Sequence, residues 1–104
     1  MLVCGEPYTG RMRRSEKKLF TVLDEIAQLD GVVEQLTQEL SMHQHLHDDA
    51  QRDALVSDSP FDRDDARITL QDVERVRREL SRLEKKRSRL DARRVDLLTS
   101  LETR

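Results

Sequence analysis

Aromatic side chains are nearly missing from this chain: Tyr8, Phe20 and Phe61 are the whole set, and there is no tryptophan. With 36% hydrophobic residues over 104 positions, the bulk needed for a compact globular core is not there, and one domain is the most the length allows. Cysteine occurs once, at Cys4, which excludes an intramolecular disulfide and a cysteine-based zinc site. A reducing, cytoplasmic setting is the expectation. No stretch approaches the ~18 consecutive apolar residues of a membrane span, so no membrane association is expected. A glycine-rich phosphate loop, a Ser/His/Asp set and a Cys/His pair are also lacking. The chain is therefore expected to be no enzyme and to need no cofactor. Helix breakers are scarce as well: beyond Gly5, Pro7 and Gly10 only Gly31 and Pro60 remain.

What the chain has is charge. Charged residues make up 38% of it, against roughly 25% in ordinary domains. The net value of −2 hides a strong asymmetry. Residues 16–65 hold four basic and thirteen acidic groups, whereas residues 66–104 hold twelve basic and seven acidic ones. Halves of opposite sign attract each other within a molecule and present different faces to partners. Arginine is in large excess over lysine, as in bacterial chains encoded by GC-rich genomes.

Residues 1–14, with their glycines, a proline and Arg11, Arg13 and Arg14, read as a flexible basic arm. Residues 15–104 read as a helical hairpin. Leu19, Val22, Ile26, Leu29, Val33, Leu36 and Leu40 recur at alternating spacings of three and four, continued by His43, His47, Ala50 and Ala54. This is a heptad seam with apolar a and d positions, placing a first helix at about 15–56. Ser59 is a suitable N-cap and Pro60 suits a first helical position, so the turn falls at about 57–60 and a second helix runs over about 60–103. Its seam is Ala66, Thr69, Val73, Val76, Leu80, Leu83, Arg87, Leu90, Arg94, Leu97 and Leu101. Two helices of matched length on a short connection pack as antiparallel neighbours. The expected fold is all-α, an antiparallel coiled-coil hairpin that pairs into a four-helix assembly or docks on a partner. Folding about the corner sets Leu40 near Leu80 and Val33 near Arg87. Arg87 and Arg94 are expected to cover the seam with their stems and to reach acidic groups on the first helix.

Three surfaces follow. An acidic tip carries Asp58, Asp62, Asp64 and Asp65 with Phe61, whose ring either staples the bend or anchors a partner, the staple being the simpler role. At the other end lies a basic set of Arg11, Arg13, Arg14, Lys17, Lys18, Arg93 and Arg94. Acidic residues are mixed among these, so direct nucleic-acid binding is not expected. Phe20, Leu23, Val95 and Leu98 lie off the seam near the same end, where a two-helix seam has no place for them. They form a candidate oligomer or partner patch. His43 and His47, four apart, have the spacing of a zinc pair, but a third ligand from Asp48, Asp72 or Glu74 would have to turn inward. No metal is assigned, and the pair reads as a polar, pH-responsive patch in the seam.

The function expected from these features is that of a non-enzymatic interaction or adaptor protein, binding itself or a larger complex. An alternative rests on Pro60-Phe61-Asp62-Arg63-Asp64-Asp65-Ala66, which loosely resembles the acidic hairpin tip of the Gre and DksA/TraR transcription factors. That resemblance implies a regulator whose tip carboxylates enter the secondary channel of RNA polymerase. It covers the hairpin only, without the four-cysteine zinc module or second globular domain by which those families grip the polymerase.

Overall fold

The computed structural model describes residues 14–102, and everything in them but a two-residue connection is helix. Helix α1 spans Arg14–Ser57 and helix α2 spans Pro60–Glu102. The two pack against each other antiparallel, as the paired seams require. Residues 1–13, read above as an arm, lie outside the described residues, while Arg14 already belongs to α1.

Contacts divide the hairpin into two compact units, a terminal one whose described residues are 14–29 and 86–102 and a turn unit of Asp30–Lys85. In the terminal unit, Leu19, Val22, Ile26 and Leu29 of α1 are buried. Their cover from α2 is Arg87, Leu90, Arg94, Leu97 and Leu101, all half-buried. Arg94 does not reach across to α1 as expected: its Nε and Nη2 donate to Asp91 on its own helix at 3.0 and 2.8 Å. Arg87 places Nη1 3.8 Å from the same carboxylate. For Arg94, an i, i+3 carboxylate lies within easy reach of a stem laid along the seam, so the local partner is sufficient.

In the turn unit the burial is reversed. Val73, Val76, Leu80 and Leu83 of α2 are buried, Val76 completely at 0% exposure, while α1 contributes Ala50 alone to that class. Val33, Leu36, Leu40, His43 and His47 are half-buried over them. The register is fixed by a bond across the seam, His47 Nδ1 to Thr69 Oγ1 at 3.0 Å. Continuing the expected pairing of Leu40 with Leu80 would have set His47 against Val73. The helices are thus displaced by about one turn, and Leu40 falls opposite Val76. The cause is the connection, which consists of Asp58 and Ser59 only.

That connection is tightly determined. Asp58 takes the left-handed conformation with φ of 52°, and its N–H donates to the Ala54 carbonyl at 3.1 Å, closing the end of α1. A helix commonly ends on such a residue, usually glycine, and aspartate is among the few others that tolerate it. Ser59 Oγ accepts from the Phe61 N–H at 3.2 Å, the N-cap expected from the sequence. Pro60 stands at the first helical position, where its missing N–H costs nothing.

Candidate functional site

At the tip, the side chains expected to act are present but differently disposed than their charge suggests. Ser57 Oγ lies 2.9 Å from the Asp53 carbonyl oxygen and touches the half-buried Asp62 carboxylate, and the Ser59 N–H donates to it at 3.4 Å. Asp58 accepts from Arg63 at 3.2 Å, and Asp64 from Arg67 at 2.7 Å. Of the four aspartates named from the sequence, Asp65 alone carries no ion pair or side-chain hydrogen bond among the described residues, its backbone carbonyl serving Thr69 Oγ1 at 2.9 Å. A carboxylate so engaged gives up little free negative charge to a ligand.

Phe61 is not a staple. It is 82% exposed, and Leu55 and Val56, in the last turn of α1, are 85% and 86% exposed. The ring leaves the bend because Asp58 and Ser59 close the connection by backbone and hydroxyl bonds alone, with no apolar contact needed. Leu55 and Val56 escaped the sequence reading, being ordinary apolar residues at the close of a heptad run. Their signal was position: both follow the seam residue Ala54 directly, by one and two, which turns them off the seam and away from α2. Shallow depressions flank the tip, one of about 440 Å³ beside Leu55, Asp58 and Arg63, another of about 260 Å³ among Asp53, Asp65 and Ile68.

The histidines of the turn unit are not brought together as ligands. His47 bonds Thr69, whereas His43 places Nε2 3.7 Å from Glu39 Oε1 on its own helix and buries Nδ1 without a partner. Among the described residues no group of three or more His, Cys, Asp or Glu is placed to hold a metal ion. Elsewhere in this unit Arg82 donates to Glu79 at 2.6 and 3.0 Å, holding that carboxyl below its ordinary range and raising the guanidinium above its own.

In the terminal unit, the two sides of the seam differ. One side carries Lys18 and Arg93, which immediately precede the seam residues Leu19 and Arg94. There Arg14, Lys17, Lys18 and Arg93 surround a groove of about 310 Å³ with Val22 at its base and Glu25 on its edge. None of the four cations forms an ion pair with a carboxylate among the described residues. Arg11 and Arg13 of the expected basic set lie outside the described residues, and Arg94 is occupied by Asp91. Phe20 and Leu23 follow the seam residue Leu19 by one and four, and Val95 and Leu98 follow Arg94 in the same way. Since the preceding flanks of both helices meet at the groove, these following flanks meet on the opposite side. All four side chains stay 38–53% exposed.

Among the described residues no helix is long and apolar enough to cross a membrane. The architecture is that of an all-helical hairpin compatible with a protein–protein interaction module. Comparison with protein-family models, with curated proteins and with solved structures finds no match to this chain.

Proposed function

We propose that this chain is a non-enzymatic coiled-coil hairpin that acts by protein–protein contact, with the off-seam face of its terminal unit as the docking surface. One observation carries the reading: Phe20, Leu23, Val95 and Leu98 are all left outside the seam on one side, each more than a third exposed. Burying such a face at about 25 cal/mol per Å² contributes several kcal/mol before the costs of association. Two helices alone make a marginal core, so a surface that recruits further helices also supports the fold. The cytoplasm, where the lone Cys4 stays reduced, suits such a protein.

The acidic-tip reading, a regulator that contacts RNA polymerase, ranks second. Phe61 standing in solvent suits a tip that meets a partner. Against it, Asp58, Asp62 and Asp64 are already engaged by Arg63, Ser57 and Arg67, and carboxylates meant for a catalytic metal should be free.

Pull-down from host lysate with the tagged chain separates the two. Leu23→Glu with Leu98→Glu should abolish recovery of the bound proteins, while Asp62→Asn, Asp64→Asn and Asp65→Asn together leave it intact. The reverse pattern, with polymerase subunits lost from the asparagine variant, would overturn the first reading in favour of the second.

A further inference from the structure

We infer that the hairpin tip of one molecule docks in the basic groove of a second copy of this chain. Both halves of the contact are present. Leu55, Val56 and Phe61 are 82–86% exposed at the end of the turn unit, an exposure that no packing in the molecule accounts for. Scattered surface apolar residues are ordinary, but three large ones within a single turn of each other's helix ends mark a contact surface. The backbone that holds them is fixed by the Asp58 and Ser59 bonds, so they are presented at little entropic cost.

The surroundings say what covers them. Residues 48–65 hold seven aspartates against Arg52 and Arg63. An anionic lipid surface would be repelled by that charge, so a membrane is the wrong occupant, and a basic-edged depression is the right one. The terminal unit supplies it: a groove of about 310 Å³ lined by the buried Val22 and by Arg14, Lys17, Lys18 and Arg93, against a single carboxylate, Glu25. A phenylalanine ring seated there meets methylene groups below and cations at its face, which its π-system attracts. Arg14, Lys17, Lys18 and Arg93 have no carboxylate partners among the described residues, and the tip brings them the unpaired Asp65 carboxylate and the negative excess of residues 48–65. The contact joins two different surfaces and is therefore heterologous. It is separate from the Phe20–Leu98 face, which remains open to other proteins.

Sedimentation velocity of the full chain tests the idea. Wild type should self-associate reversibly at low ionic strength and dissociate near 1 M salt, where the Debye length falls to about 3 Å. A tip variant, Leu55→Ser with Phe61→Ser, and a groove variant, Lys17→Glu with Arg93→Glu, should each weaken association on the order of tenfold or more. Mixing the two variants should restore a complex, because each retains the half that the other has lost. Circular dichroism verifies that both remain helical. Association that survives in the tip variant, or a chain that stays monomeric at all concentrations, overturns the proposal. So does binding of wild type, but not of the tip variant, to anionic phosphatidylserine vesicles in place of itself. Leu23→Glu with Leu98→Glu should leave this self-association unchanged, so loss of the groove contact and loss of the docking face are read separately.

Discussion

The terminal and turn units bury their seams from opposite helices. In the terminal unit α1 supplies the buried aliphatics, Leu19, Val22, Ile26 and Leu29, and α2 covers them with arginine stems and half-buried leucines. In the turn unit α2 supplies Val73, Val76, Leu80 and Leu83, and α1 covers them with a row that includes two histidines. One helix provides the residues that lose their water, and the other provides long or polar side chains that shield them while keeping their own ends wet. The same heptad pattern thus serves two roles.

The largest test of this contrast compares two leucines of α2. Leu83→Ala, in the turn unit, should destabilise the hairpin by about 3 kcal/mol, since it empties a buried position. Leu90→Ala, in the terminal unit, should cost about half as much, its side chain already facing water in part. Urea denaturation followed by helical ellipticity measures both, and equal losses would erase the distinction between the units. A smaller effect of opposite sign is expected at the covering row. His43→Leu should stabilise by about 1 kcal/mol, because it removes a buried Nδ1 that has no hydrogen-bond partner and replaces it with a seam aliphatic. His47, bonded to Thr69, should give no such gain when made leucine. Smallest is Gly31→Ala, in α1 of the turn unit. A Cβ there meets nothing within 4 Å, so the change should add up to about 1 kcal/mol of stability by helix propensity alone, visible as a raised Tm.

Most of the fold was legible because spacing of three and four leaves a coiled-coil seam little freedom: every seam position named from the sequence is buried or half-buried. Ser59 and Pro60 announced the start of α2 by their chemistry. The end of α1, expected at about 56, falls at Ser57, but the left-handed residue that closes it is Asp58 and no glycine marked it. Without that cue the connection was read as longer than its two residues, and the pairing came out displaced by a turn. The candidate surfaces were legible in part. Phe20, Leu23, Val95 and Leu98 stood out by breaking the period. The tip did not, since Leu55 and Val56 look like any other apolar pair until they are seen to face away from the seam, and aspartates in a row look free until Asp58, Asp62 and Asp64 are seen with their neighbours.

The two-residue connection sets a limit on how this molecule can move. Sliding one helix past the other by a heptad would shift it by about 10 Å at 1.5 Å per residue. Asp58 and Ser59, even fully drawn out, span only about 7 Å and are already committed to holding both helix ends. The hairpin therefore has no slack to pay out. A pull or twist applied by a partner must be carried by bending or rotation of the helix pair, or by melting it, and never by a change of gear between its strands.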